Sequence, residues 1–278
     1  MTSQQLGKIA VVTGGSTGIG LALAKALARE GMDIALASRT PATLEAAAAA
    51  VRDIGVRVLA VSCDVADRAQ VQALARRAAE ELGPVDLVCA NAGVTTVGRL
   101  VDHTDADWDW SIDINLRGIT HCIQAFYPDM AARRRGTLLL TGSQTSLAPD
   151  WVLNHGPYIG AKAAVLALAT SLRAEAAEFG VSVSLLIPAA TDTAIAETAR
   201  RVPEPDGSLL PNPKSPPPLE GFPFTLSPEE VAQRALAGLK RNAPIIATHA
   251  AMKPLVEDYF ARILAAYDDA ARFEVRGG

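Results

Sequence analysis

A tyrosine and a lysine four residues apart, Tyr158 and Lys162, form the pair in this sequence that most suggests chemistry. On a helix this spacing places both side chains on one face, so the lysine ammonium can stand close to the phenol. A free phenol titrates near 10, and a neighbouring positive charge favours the phenolate and lowers that pKa. The pair is therefore predicted to exchange protons near neutral pH. Because the same spacing is common in ordinary surface pairs, its surroundings along the chain decide the interpretation.

A glycine-rich turn is the second chemical signal: Thr13-Gly14-Gly15-Ser16-Thr17-Gly18-Ile19-Gly20. It stands between an apolar, strand-like run and a segment of helical periodicity. Glycines let the backbone turn tightly and approach a pyrophosphate. Exposed N–H groups and the positive end of the helix would then stabilise the negative charge of the pyrophosphate. A glycine-rich turn alone is weak evidence, but this placement predicts a dinucleotide site.

Secondary-structure elements must position these residues, and the sequence pattern predicts them. Over residues 1–190, short apolar runs alternate with segments of helical periodicity. This rhythm is typical of β-α units that build a parallel sheet covered on both faces. We expect an α/β, Rossmann-like, doubly wound sheet of about seven strands in a single domain. The predicted strands cover 8–13, 33–37, 57–62, 86–90, 137–141, 181–187 and 244–247. The predicted helices cover 19–30, 41–54, 67–82, 105–132, 157–179, 227–241 and a C-terminal helix within 249–272.

The rhythm breaks in the segment 194–225, which is rich in proline. Proline does not suit a helix interior or a central strand, and so long a loop predicts a substrate lid. Order is expected to resume at Ser227-Pro228-Glu229-Glu230, which has the residue types of a capping box at a helix start.

Composition limits the remaining classes of function. The 278 residues, 49% hydrophobic and 20% charged, can bury one large core, so a single domain over 1–278 is expected. A net charge of −4 offers no basic field for nucleic acid. The sequence has no apolar run long enough to predict a membrane span, so a cytoplasmic location is expected. Three widely spaced cysteines, Cys63, Cys89 and Cys122, predict buried free thiols and no metal site.

The glycine spacing Gly-x-x-x-Gly-x-Gly and the Tyr-x-x-x-Lys motif together resemble the short-chain dehydrogenase/reductase family, and the likeness covers most of the chain. The resemblance implies an oxidoreductase that moves a hydride between a nicotinamide cofactor and a carbonyl or alcohol carbon. It also implies that Tyr158 is the general acid and base and that Lys162 holds the nicotinamide ribose. Ser143 would donate to the substrate oxygen. The family usually places this serine closer to the tyrosine, so Ser146 is the alternative.

Asn115 matches the family's asparagine at a helix kink, which holds a water that passes protons from the lysine; a plain buried amide is the alternative reading. Asn91-Ala92-Gly93 matches the family's Asn-Ala-Gly turn, although Asn91 could equally serve to stabilise the sheet. Thr193 matches a threonine that bonds the nicotinamide carboxamide, with Ala189 standing where the family has glycine. The implied cofactor contacts are Gly14, Ser16, Thr17, Gly18, Ile19, Gly20, Ser38, Arg39, Asp64, Val65, Asn91, Ala92, Gly93, Tyr158, Lys162, Pro188 and Thr193.

The choice of cofactor depends on the end of the second predicted strand. Family members that use NAD carry an aspartate where this chain has Ser38, and Arg39 follows with a guanidinium suited to a phosphate. NADP(H) is therefore favoured over NAD(H), unless Arg39 is simply a solvated surface residue.

Trp151 and Leu153 are predicted to give the substrate site an apolar wall, which favours a hydrophobic ketone or secondary alcohol. His155 is either a substrate contact or a structural residue. Trp108 and Trp110 are expected to be packing residues, either in the interior or at a subunit interface. The family resemblance implies a homodimer or homotetramer. Two other readings stay open: a catalytically silent binding or regulatory protein of the same fold, and a sugar-nucleotide epimerase or dehydratase.

Overall fold

The computed structural model describes residues 6–203, 207–210 and 225–274. Part of the predicted lid, 204–206 and 211–224, lies outside the described residues. The strands are β1 (Ile9–Thr13), β2 (Asp33–Ser38), β3 (Val58–Ser62), β4 (Leu87–Ala90), β5 (Thr96–Val97), β6 (Gly136–Thr141), β7 (Val181–Ile187), β8 (Arg200–Arg201) and β9 (Ile245–Ala247). The helices are α1 (Gly18–Arg29), α2 (Pro41–Arg52), α3 (Arg68–Glu81), α4 (Asp105–Ile112), α5 (Gly118–Ala132), α6 (Gly156–Ala177), α7 (Pro228–Lys240) and α8 (Lys253–Glu274).

Seven strands form one parallel sheet in the order β3-β2-β1-β4-β6-β7-β9. This arrangement confirms the predicted Rossmann-like α/β class. The chain builds outward from β1 in one direction and then from β4 in the other, so the strand order reverses between these two strands. In sheets of this kind a crevice for ligands opens at the carboxyl ends of the strands at the reversal.

Two apolar cores, one on each face of the sheet, explain why the strands are continuously hydrophobic. Along β1, Ile9 and Val11 belong to the core under α3, α5 and α6, whereas Ala10 and Val12 belong to the core under α1, α2 and α7. Successive strand residues face opposite sides, so a strand covered on both faces needs apolar residues at every position.

The helix predicted over 105–132 is wrong as a single element. It is interrupted by a π-helical turn, Asp113–Arg117, which separates α4 from α5. Asn115 lies at the centre of this turn, and an asparagine amide competes with backbone hydrogen bonds inside a regular helix. The kink thus appears where the family resemblance expects it.

The described part of the proline-rich segment includes a strand that sequence patterns did not predict. β8 pairs in parallel with β5 through hydrogen bonds from Arg200 N to Thr95 O (3.1 Å) and from Val202 N to Val97 O (2.8 Å). Two-residue strands carry too little periodicity to be recognised from sequence. The pairing joins residues 194–203 to the body of the domain.

Ser227 and Glu230 form the predicted capping box at the start of α7, with each side chain bonding the other residue's backbone N–H. α8 follows a short turn and leaves most of its surface exposed. Within the part of the chain that the structure describes, no helix is long and apolar enough to cross a membrane. Cys63, Cys89 and Cys122 are buried free thiols, as predicted.

Candidate active site

A cleft of about 770 Å³ runs along the carboxyl ends of the strands. That volume lies within the range typical of cofactor and small-molecule sites. The cleft brings together nearly all the residues selected from the sequence. Three of them do not line it: Gly20, Asn115 and Leu153.

The glycine turn lines part of the cleft. Gly14 (φ +63°) and Gly18 (φ +51°) are in the left-handed region, where a side chain would be strained. Gly20 has a different role from the predicted cofactor contact, because a Cβ there would lie 2.1 Å from Gly14 O and 2.7 Å from Asn91 Nδ2. Its missing side chain lets α1 pack against the turn.

Asn91 connects three neighbouring strands. Its Nδ2 donates to Thr13 O (3.2 Å), and its Oδ1 accepts from the Thr141 hydroxyl (3.3 Å). Its backbone N–H donates to the Thr13 hydroxyl (3.0 Å). Asn91 therefore stabilises the sheet and also lines the cleft, so both interpretations drawn from the sequence remain compatible with its position.

Two hydroxyls and a guanidinium meet beyond the end of β2. Ser16 Oγ and Ser38 Oγ are 2.8 Å apart, and the half-exposed Arg39 extends beside them along the cleft. Arg39 Nη1 is 4.0 Å from Asp64 Oδ2, which at these exposures is a weak, solvent-screened contact. The guanidinium thus remains available to an anion.

Tyr158 and Lys162 also line the cleft, from the first turns of α6. Lys162 is 2% exposed, and its Nζ donates to Thr141 O (2.7 Å) and stands 5.9 Å from the centre of the Tyr158 ring. Burial lowers the pKa of Lys162 to about 8, because an ammonium loses its hydration there.

The lowered Tyr158 pKa expected from the sequence is wrong for this structure. Burial raises the pKa of Tyr158, and the opposing cause is a hydrogen bond from Ser143, not the charge of Lys162. The physical reason is that burial penalises the phenolate strongly. The buried ammonium is itself destabilised, and it is engaged by the Thr141 carbonyl.

Ser143 and Ser146 occupy different environments. Ser143 caps the short turn Gln144–Ser146 and lines the cleft beside Tyr158. Ser146 Oγ is partly buried outside the cleft lining and donates to Lys162 O (2.8 Å). The geometry therefore favours Ser143 as the hydroxyl that a substrate would meet.

Asn115 is fully buried, and the protein saturates its amide. Its Nδ2 donates to Val94 O and Ser111 O (both 2.9 Å), and its Oδ1 accepts from Val94 N (3.1 Å). A Cβ at Gly93 would lie 3.0 Å from Asn115 Oδ1 and 3.6 Å from Lys162 Nζ. Asn115 thus holds the 93–94 backbone beside the lysine, from behind the cleft.

The substrate side is lined by Trp151, Val152 and His155, but the prediction for Leu153 is wrong, since Leu153 is 68% exposed and lies outside the cleft. The left-handed Asn154 (φ +66°) follows it and turns the chain back toward the cleft at His155. His155 Nδ1 is 3.0 Å from the Thr95 hydroxyl, and its ring meets the Tyr158 ring edge-on at 6.4 Å.

Trp110, expected to pack in the interior or at an interface, lines the cleft. The Arg200 guanidinium lies over its ring at 4.6 Å and bonds Asp107 Oδ1 (3.2 Å) and Ala106 O (3.0 Å). Sequence reasoning missed Arg200, because its partners lie far away along the chain and no local pattern signals the contact.

Comparison with known proteins identifies related chains. The family model described as short chain dehydrogenase matches residues 8–203. Over 254 residues the chain is 35% identical to the glycine betaine reductase ATRR of Emericella nidulans, a match covering 89% of this chain and 19% of that protein. The chain therefore spans less than a fifth of the length of that relative.

Two solved structures resemble the whole domain. A short-chain dehydrogenase/reductase of Burkholderia phymatum in complex with NAD is 31% identical, with a TM-score of 0.79 and coverage of 90% of this chain and 92% of the other. A short-chain dehydrogenase of Sphingobium yanoikuyae in complex with NADPH is 27% identical, with a TM-score of 0.75 and coverage of 93% and 95%.

Proposed function

The chain belongs to the short-chain dehydrogenase/reductase family, and from that membership we propose that it is an NADP(H)-dependent oxidoreductase that interconverts a ketone and a secondary alcohol. The family match makes it an oxidoreductase; the cofactor preference, the substrate and the residue roles are the proposal. One observation carries it: Ser143, Tyr158 and Lys162 line the same cleft as the glycine turn.

The residues of the cleft fit a dinucleotide. Two left-handed glycines open the turn at the N-terminus of α1, and the side-chain-free Gly93 leaves room beside Lys162. Gly14, residues 16–19, Asp64, Val65, 91–93, Pro188 and Thr193 would hold the cofactor, and Lys162 would bond its ribose. When bound, the dinucleotide would supply the hydride in reduction and accept it in oxidation.

A preference for NADP(H) is supported by the end of β2. Ser16, Ser38 and Arg39 offer hydroxyls and a cation, and no carboxylate occupies the Ser38 position to bind the ribose hydroxyl of NAD. The solved relatives carry NAD in one case and NADPH in the other, so family membership alone does not decide the preference.

Proton transfer is the work of the chain's own residues. In reduction, Ser143 donates a hydrogen bond to the carbonyl oxygen and Tyr158 gives that oxygen its proton. Because burial raises the pKa of Tyr158, the phenol keeps its proton at neutral pH and can act as the acid in reduction. Oxidation requires the phenolate and should increase with pH.

Trp110, Trp151 and Val152 supply apolar wall area, so a hydrophobic ketone is the proposed substrate. A cytoplasmic location and a dimer or tetramer remain predictions.

The test measures the reduction of small and bulky ketones with NADPH and with NADH in parallel. Tyr158→Phe is the key variant. We expect turnover with NADPH that falls at least about 100-fold in the variant, with cofactor affinity little changed. Binding of NADPH without turnover of any ketone would indicate a silent binding protein. Conversion of a sugar nucleotide without net NADPH consumption would indicate the epimerase reading.

A further inference from the structure

We propose that Thr145 is a positioning residue that makes the Ser143 hydroxyl an obligate hydrogen-bond donor toward the reacting oxygen. The inference rests on the proposed function and deepens it, by assigning a role to a residue that neither the motif nor the family resemblance singled out.

Ser143 Oγ accepts two hydrogen bonds from the same residue, Thr145. Thr145 N donates to it at 3.2 Å, and the Thr145 hydroxyl donates to it at 2.9 Å. A serine hydroxyl has one hydrogen to give and two lone pairs to accept with. Both lone pairs are therefore occupied by Thr145, and the hydroxyl proton is the one capacity of Ser143 that remains.

The direction of that proton is set by its surroundings. With both lone pairs of Ser143 Oγ engaged by Thr145, the hydroxyl can only donate in the hydrogen bond that it shares with Tyr158, and such a donated bond opposes the rise in the pKa of Tyr158. A substrate oxygen bound between Ser143 and Tyr158 would meet the same donor. The serine would then polarise the carbonyl without first having to reorient.

The backbone around Ser143 is rigidly attached to its neighbours. Gly142 N donates to Leu186 O and Gln144 N donates to Pro188 O, both at 2.8 Å. Ser143 and Thr145 are both buried, yet both line the cleft. A donor fixed in this way before the substrate arrives costs no reorganisation during the reaction, which is the condition for effective electrostatic catalysis.

Replacing Thr145 by valine keeps the shape and removes one of the two donors. Ser143 Oγ then regains a free lone pair, so its hydrogen can rotate away from the reacting oxygen. Thr145→Ser keeps the hydroxyl and should therefore retain both hydrogen bonds that Ser143 Oγ accepts. Thr170→Val is the matched control, because Thr170 bonds Leu166 O on the exposed side of α6, away from the cleft.

The experiment measures kcat, KM and the pH profile of alcohol oxidation for Thr145→Val, Thr145→Ser, Ser143→Ala and the double variant Ser143→Ala/Thr145→Val. We expect Thr145→Val to lower kcat about tenfold with little change in KM, and to move the rise of the oxidation rate to higher pH. Thr145→Ser and Thr170→Val should behave as wild type. In the Ser143→Ala background the valine should have no further effect, because Thr145 acts through Ser143.

The outcomes separate the inference from the function beneath it. A wild type that reduces no ketone, or a Ser143→Ala variant of full activity, overturns the proposed function. Activity that needs Ser143 but is unmoved by Thr145→Val overturns the inference alone. The inference alone is also overturned if the losses of kcat in Ser143→Ala and Thr145→Val multiply in the double variant, or if Thr145→Ser loses as much activity as Thr145→Val. Melting temperatures and dinucleotide affinities of all variants show whether a loss comes from unfolding.

Discussion

The two sides of the cleft are built in different ways. The cofactor half (Gly14 and residues 16–19, 38–39, 64–65 and 91–93) consists of strand ends and turns at the carboxyl ends of β1, β2, β3 and β4. The substrate half (Thr95, Trp110, Trp151, Val152, His155, 194–196 and Thr198) is held by side chains from distant parts of the chain, such as Arg200 over Trp110 and His155 beside Thr95.

This difference has a consequence for substitutions. A turn that ends a buried strand has little freedom, so changes in the cofactor half should act on folding and on dinucleotide affinity together. The substrate half depends on single side-chain contacts, so changes there should affect substrate KM and leave dinucleotide affinity alone.

The largest effect is expected at Gly20. An added methyl group would meet Gly14 O at 2.1 Å, so Gly20→Ala should destabilise the fold by about 3 kcal/mol and weaken dinucleotide binding. The control is Gly160→Ala, also in a helix, where the new Cβ meets Trp108 at an ordinary 3.8 Å and helix propensity favours alanine. Urea unfolding and dinucleotide titration compare the two, and equal stabilities would contradict the packing argument.

The next effect concerns Lys162, where the two halves meet. Its pKa of about 8 lies below the ordinary 10.5, so the unfolded chain binds more protons between these pH values. The cost of burying the ammonium is full below pH 8 and is relieved as pH rises toward 10.5. Between pH 7 and 10.5 the free energy of unfolding of the wild type should therefore rise, relative to that of Lys162→Met, by at most about 3 kcal/mol.

Urea unfolding of the cofactor-free proteins at several pH values measures this difference. Lys253→Met, at an exposed position, is the matched control and should show no such trend. A stability difference between wild type and Lys162→Met that stays constant with pH would show that the ammonium is not penalised by burial.

Arg39 tests the cofactor half without disturbing its backbone. Arg39→Ala should weaken NADPH binding by roughly 10- to 100-fold and NADH binding little, because only NADPH brings a 2′-phosphate to the guanidinium. No loss for either dinucleotide would identify Arg39 as a solvated surface residue, and an equal loss for both would contradict its role in selecting NADP(H).

The smallest effect is expected in the substrate half. Arg200→Lys keeps the charge but loses the planar stacking on Trp110, so substrate KM should rise about threefold with dinucleotide affinity unchanged. Arg52→Lys, in an exposed ion pair with Glu45, is the control. A change in NADPH affinity in Arg200→Lys would remove the distinction between the two halves.

The comparison also explains what could be predicted from the sequence. The glycine turn and the Tyr158–Lys162 helix were recognisable because each depends on local spacing and backbone geometry. The strand pattern was recognisable because burial on both faces requires continuous apolar runs.

The errors share a different cause. The exposure of Leu153 depends on a left-handed residue next to it, and the break in the central helix depends on one widened turn around Asn115. The raised pKa of Tyr158 depends on burial by parts of the chain brought together only in the fold. None of these follows from a periodic pattern.

The most direct test of the central claim follows the hydride itself. The cofactor is NADPH in which the hydrogen transferred as hydride is replaced by deuterium. It is incubated with a ketone that the enzyme reduces, and the alcohol is analysed by mass spectrometry and NMR. The account predicts one deuterium on the carbinol carbon with the wild type, and almost no product in the same time with Tyr158→Phe. Alcohol without deuterium, or undiminished deuterated product from Tyr158→Phe, would contradict it.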